Sequence, residues 1–279
     1  MSVLSKLEPA IIKSSETVDT LELIQISDPH LFADESGSLL GVNTRESFLA
    51  TLDLIQANHL YIDLIIVTGD ISQDLSAESY EFFAQAMKVF NCPIYCLAGN
   101  HDEVDALESL AEAGHIKTNK QLDIKNWQIL LAHSQVKGKV HGLISSDEMH
   151  WIQQQLNTND SNALVFTHHH PVYSNADWID DIGIKNCEEF TAMLSEFKQV
   201  KACGFGHIHQ DLSVTQQNID YYSAPSTCIQ FKQNSSEFAV SEELPGYRIY
   251  HCYPSGKVET QVIRVNDFKL SLDMTATGY

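Results

Sequence analysis

Five short stretches of the chain carry side chains able to do metal chemistry. They are Asp28-Pro29-His30, Asp70, Asn100-His101-Asp102, His168-His169-His170 and His207-Ile208-His209. Carboxylate, imidazole and carboxamide oxygen bind divalent first-row metals such as Mn, Fe and Zn, with no thiolate needed. On an extended segment, Asp-x-His and His-x-His point both side chains to the same side. A carboxylate such as Asp70 can bridge two cations with its two oxygens. Two cations ~3.5–4 Å apart form a clamp for in-line displacement at phosphorus.

Each piece alone has a plainer reading. Asp28 and His30 could be a turn acid beside a surface histidine, and Gly69-Asp70 a common strand-to-loop turn. His168–His170 could be an exposed polar cluster, and Gly206–His209 a strand with two solvated histidines. Gly99-Asn100-His101-Asp102 is more specific, because a Gly-Asn turn rarely continues into His-Asp by accident.

What joins the five is the element in front of each. The apolar runs Leu21–Ser27, Asp63–Gly69, Pro93–Gly99, Ala163–Thr167 and Lys201–Gly206 are strand-length and rich in Ile, Val or aromatic residues. Between them lie helical patterns: Thr44–His59, Ser76–Phe90, Glu103–Ala113, a helix after the capping-box pair Ser145 and Glu148, and another from Asn186. Alternation of this kind predicts an α/β fold. Ligands in such sheets collect beyond the carboxyl ends of the strands, so the five stretches can converge on one site. After Gly206 the pattern predicts consecutive antiparallel strands at Leu212–Val214, Ile219–Ser223, Thr227–Phe231, Tyr247–Tyr253 and Lys257–Val265. Thr227–Phe231 is expected in the second sheet rather than across a dimer.

Composition narrows the partners. Thirty-seven acids face 17 bases, a formal net charge of −20, which argues against nucleic acid, since phosphate-backbone binding relies on Lys and Arg. The same charge is awkward for an anionic substrate unless bound cations reverse the field locally. Hydrophobic residues make up 43%, enough for a sizeable core. No segment approaches the ~20 apolar residues of a membrane span, and no signal-peptide core is present at the start. A cytoplasmic protein with reduced cysteines is expected, with Cys92 and Cys96 as buried strand residues and not a ligand pair. One domain over 1–279 is expected, with 1–20 and 267–279 as peripheral tails.

The ordered set D-x-H, GD, GNHD, a histidine cluster before Pro171, and GHIH resembles the calcineurin-like metallophosphoesterase superfamily. The stretches 31–44, 126–136, 177–186, 206–212, 224–232 and 243–250 sharpen this to a resemblance to bacterial class III 3′,5′-cyclic AMP phosphodiesterases. The resemblance implies a four-layer α/β/β/α sandwich and two divalent metals, Fe or Mn first, with Zn, Co or Mg as alternatives. It implies that Asp28, His30, Asp70 and His209 hold one metal and that Asp70, Asn100, His168 and His207 hold the other, with His169 as the rival of His168. It implies attack by a metal-bridging hydroxide, substrate contacts from His30, Asn100, His101 and His209, and catalysis by His101, which can protonate the leaving oxygen. The expected reaction is hydrolysis of 3′,5′-cyclic AMP to 5′-AMP by a monomer or homodimer. Other small phosphodiesters, such as 2′,3′-cyclic nucleotides or glycerophosphodiesters, are the alternative, and a non-catalytic scaffold is the remote one. Many relatives carry Asp where this chain has Gln73, next to Asp74, and His133 stands where Asp is expected.

Overall fold

The computed structural model describes residues 19–112 and 114–278. The expected N-terminal tail falls almost wholly outside the described residues. In chain order the main strands are β1 (Leu21–Ile26), β2 (Leu64–Val67), β3 (Ile94–Cys96), β4 (Ile116–Lys117), β5 (Gln121–Ile124), β6 (Trp127–Leu131), β7 (Asn162–Phe166), β8 (Val200–Phe205), β9 (Ser213–Gln216), β10 (Ile219–Ser223), β11 (Gly246–Cys252) and β12 (Val258–Arg264). They form two six-stranded sheets, ordered β12-β11-β1-β2-β3-β4 and β9-β10-β8-β7-β6-β5. In the first, β1 to β4 are parallel and β11 returns antiparallel between β1 and β12. In the second, β6, β7, β8 and β10 are parallel, with β5 and β9 antiparallel at the edges.

Period-two alternation sorts the apolar residues into layers. Leu21, Leu23, Leu64 and Ile66 of the first sheet meet Trp127, Ile129, Leu131, Leu164 and Phe166 of the second in a central core. The intervening Ile24, Ile26, Ile65 and Val67 face outward onto helices α1 (Thr44–Asn58), α2 (Ala77–Ala86) and α3 (Val104–Glu112). Leu130, Ala163 and Val165 face the opposite way, onto α4 (Ser146–Thr158) and onto α6 (Cys187–Ser195), which follows the single turn α5 (Asp177–Asp180). The result is the expected sandwich of two mixed sheets flanked by helices.

Several local expectations change. Beyond the expected strands lie β4, β5 and β6. Ile219–Ser223 pairs antiparallel with β9 but parallel with β8. Thr227–Phe231 is not a strand of the second sheet. Only Gln230–Phe231 is extended, in a two-stranded ribbon with Val240–Ser241, because the Thr227 N–H donates to the Ser27 carbonyl across the sheets. The capping box at α4 is half formed. Ser145 Oγ accepts from the Glu148 N–H, while the Glu148 carboxylate turns away to Lys120 and the His133 N–H. The Asn186 side chain bonds Ile144 instead of capping α6. Residues 267–278, expected as a peripheral tail, pack Phe268, Leu270 and Leu272 against the outer core of the second sheet. Among the described residues no helix is long and apolar enough to cross a membrane.

Candidate metal centre

The five stretches lie beyond the carboxyl ends of β1, β2, β3, β7 and β8, side by side across both sheets. Loops sew them together. Asp28, His30 and Leu31 donate backbone N–H groups to Gly69, Asp70 and Ile71, and the His207 N–H meets the Asp28 carboxylate at 3.1 Å. Two glycines permit the approach: a Cβ on Gly69 would stand 2.4 Å from the Gly99 nitrogen, and one on Gly99 would stand 2.1 Å from Asp70 Oδ1.

The segments expected to be extended are turned instead. Asp28, His30, Asp70, His207 and His209 all have left-handed backbones, with φ between 47° and 68°. Such conformations cost about 1–3 kcal/mol each and persist only where the surroundings impose them. The left-handed turns, not a pleat, aim these side chains inward. The side chains are buried, and four overlapping sets place their ligand atoms within 4.8 Å: Asp28, His30 and His209; Asp28, Asp70 and His168; His30, Asp70 and His101; His168, His169 and His207.

Hydrogen bonds assign the imidazole faces. His30 Nδ1 donates to Gln73 Oε1 (2.7 Å), His209 Nδ1 to the Ile229 carbonyl (3.0 Å) and His168 Nδ1 to the Thr68 carbonyl (2.7 Å). Each bond leaves Nε2 as the inward atom. The Nε2 atoms of His30 and His209 stand 3.2 Å apart, two lone pairs face to face once both Nδ1 carry the protons. His168 Nε2 lies 3.0 Å from Asn100 Oδ1 and 3.4 Å from Asp70 Oδ2. His169 differs: Nδ1 meets Ser134 Oγ at 2.8 Å and Nε2 donates to the Val140 carbonyl at 3.2 Å, so the protein engages both nitrogens.

Electrostatics follow from burial. Burial works against ionising Asp28 and Asp70, yet His209 beside Asp28 and His168 beside Asp70 outweigh it and hold both below the usual carboxylate range. Burial drives His30 down to about 3, and drives His207 well below the usual imidazole value with help from the surrounding imidazoles. Burial also opposes charge on His168, but Asp70 and then Asp28 raise it to about 9.

The group tests well as a cation site. Asp70 Oδ1 accepts the His101 N–H at 2.8 Å, but buried Asp70 Oδ2 and both ring nitrogens of His207 have no hydrogen-bond partner. Unsatisfied buried polar atoms cost about 1–3 kcal/mol each. Opposed lone pairs, orphaned acceptors and an N/O donor set all call for positive charge at the centre.

Other groups hold the frame. Asp102 accepts from the N–H groups of Ile71, Ser72 and Gly99 and from Tyr80, tying two loops together; burial and then Asp70 raise it to about 6. Asp74 accepts from Ala33 and Ser76. His133 is not among the clustered groups; its N–H donates to Glu148. His101 sets its ring edge-on to His30 (5.2 Å) and lines a cavity of about 450 Å³ with Gln73, Leu75, Asn100 and Gln135. Motif spacing gave no sign of the Asp102 and Ile229 contacts, while Gln73 stood out only as an amide where an acid is common.

The sequence pattern of calcineurin-like phosphoesterases matches residues 21–211, which include all five stretches. The chain belongs to the calcineurin-like phosphoesterase family. Curated relatives cover the phosphoesterase almost end to end. The 3′,5′-cyclic adenosine monophosphate phosphodiesterase CpdA of Vibrio vulnificus is 37% identical over 95% of this chain and 98% of its own. CpdA of Escherichia coli K12 is 36% identical over 93% and 95%. A 3′,5′-cyclic-nucleotide phosphodiesterase of Nostoc is 35% identical over 92% and 97%. A dimetal phosphatase from Danio rerio shares the fold at a TM-score of 0.61 and 14% identity, over 88% of this chain and 99% of that one. Membership of this family implies two divalent metal ions, and the clustered side chains fit them.

Proposed function

We propose that this phosphoesterase hydrolyses 3′,5′-cyclic AMP to 5′-AMP and so tunes cyclic AMP signalling. In this reading Asp28, His30, Asp70 and His209 hold one cation, and Asp70, Asn100, His168 and His207 hold the other. Asp70 would serve both, and its Oδ2 is the oxygen that no protein hydrogen bond engages. His168 is the ligand in preference to His169: its Nε2 faces Asn100 and Asp70, themselves ligands in this reading, whereas Ser134 and Val140, which are not, hold the two nitrogens of His169. Fe and Mn are the metals proposed first, because the donors are nitrogen and oxygen. When bound, the pair supplies positive charge that polarises the phosphoryl group and activates water near neutral pH.

The chain itself binds and moves a proton. His30, Asn100 and His209 stand with His101 around the phosphate in this reading. Water bonds to phosphorus through its oxygen and gives one proton up to solvent, the P–O3′ bond breaks, and the ribose O3′ takes a proton from His101, which solvent then restores. The observation that carries the substrate is the likeness to cyclic AMP phosphodiesterases over nearly the whole chain. The broader name of the Nostoc relative favours one second reading, a general 3′,5′-cyclic-nucleotide phosphodiesterase.

Turnover of cyclic AMP, cyclic GMP, 2′,3′-cyclic AMP and bis(p-nitrophenyl) phosphate with Mn²⁺ and with chelator tests this. Metal-dependent 5′-AMP formation, with cyclic AMP preferred, is the expected result. Activity on the synthetic diester alone would discard the cyclic nucleotide reading.

A further inference from the structure

The segment after β6 plays no part in that reading, yet it reaches the centre from the second sheet. The Ala132 N–H donates to the Phe166 carbonyl, extending β6 along β7, and Ser134 Oγ meets His169. The next side chain, half-buried Gln135, crosses to the first sheet. Its Nε2 donates to the carbonyl oxygens of Gly99 and Asp102, each at 2.6 Å. These are the two ends of the turn that carries Asn100 and His101, so both hydrogens of one nitrogen clamp one turn. Other bonds on these ends come from the first sheet and its loops, among them the Asp102 N–H to the Gly99 carbonyl at 3.3 Å and the Gly99 N–H to the Asp102 carboxylate at 2.9 Å. Gln135 also lines the cavity that His101 faces.

We propose that Gln135 is a positioning residue for leaving-group protonation: by clamping both ends of the turn, it sets where His101 stands against the leaving oxygen. The proposal rests on the assignment of His101 given above. A carboxamide suits the task, offering two donors on one atom and no charge beside Asp70 and Asp102. Methionine has similar length and no donor. Misplacing a catalytic group by about 1 Å can cost on the order of 10²-fold in rate. Proton donation matters most when the leaving oxygen is a poor one. The ribose O3′ of cyclic AMP is poor; p-nitrophenolate is not.

The test uses the full chain loaded with Mn²⁺, as wild type, Gln135→Met, Gln135→Ala, His101→Ala and the Gln135→Met/His101→Ala double variant. Gln135→Met should lower kcat on cyclic AMP about 10–100-fold. KM and the two metals per chain should stay unchanged, and turnover of bis(p-nitrophenyl) phosphate should stay within about threefold, since the phenolate needs little proton donation. On the His101→Ala background, Gln135→Met should cost nothing further on cyclic AMP. Additive losses, equal losses on both esters, or loss of metal would overturn the proposal while leaving His101 in place. An unchanged cyclic AMP rate in His101→Ala would overturn the assignment itself, and the proposal with it. If the Met variant does not fold, the Ala variant is read in the same way; if neither folds, Gln135 is structural and the proposal falls.

Discussion

The two sheets bring different chemistry to the centre. The first carries the acids and the amide, Asp28, Asp70 and Asn100, together with His30 and His101. The second contributes imidazoles to the same cluster: His168, His207 and His209. Each half is incomplete alone. The carboxylates of the first stay ionised in a buried setting because histidines of the second lie against them, and His168 is raised because Asp70 faces it. Asp70 Oδ2, 3.4 Å from His168 Nε2 and 3.8 Å from His30 Nε2, sits where the halves meet. The centre is therefore a property of the junction between sheets, and the side chains between the sheets matter to it as much as the loops.

The largest effect should come from cutting the junction. Asp70→Ala should release both metals and lower turnover about 10³-fold or more, since several kcal/mol of charge stabilisation goes with them. Metal analysis of the purified variant checks this, and two retained metals would contradict the shared role. Phe166→Ala attacks the same junction from below. Phe166 is fully buried between the sheets and packs edge-on to Tyr250 at 5.8 Å. The variant should lose about 3–5 kcal/mol of stability. Its metal affinity should fall as well; urea unfolding beside metal titration reads both, and full metal affinity in a destabilised protein would make the halves independent. Gln73→Leu sharpens the comparison on the first sheet alone. Losing the 2.7 Å bond to His30 Nδ1 should weaken one metal about 10–100-fold and leave the other in place. Equal weakening of both would mean that Gln73 supports the whole centre.

Much of this arrangement was legible in the sequence because each group stands directly behind an apolar run. The largely apolar runs Leu21–Ile26 and Leu64–Val67 mark strands buried on both faces, and the residues that follow have only the carboxyl edge to occupy. The choice between His168 and His169 was not legible. Their difference lies in distant partners, Thr68 for one and Ser134 with Val140 for the other, and neighbouring residues carry no trace of them. Left-handed backbones at Asp28 and His207 were equally hidden, since packing between loops imposes them. Thr227–Phe231 has the apolar pattern of a strand, yet its backbone serves loops: Thr227 bonds Ser27 and Ile229 orients His209. Pairing of β11 beside β1 joins the far ends of the chain, and no local pattern encodes such a register.

The central claim is a pair of cations shared between the sheets and required together for cyclic AMP hydrolysis. Titrating metal-depleted protein with Mn²⁺ while measuring 5′-AMP formation tests it most directly. The account predicts that the rate climbs until two equivalents are bound and disappears again with chelator. Full activity at one equivalent, or 5′-AMP formation that survives complete metal removal, would contradict it.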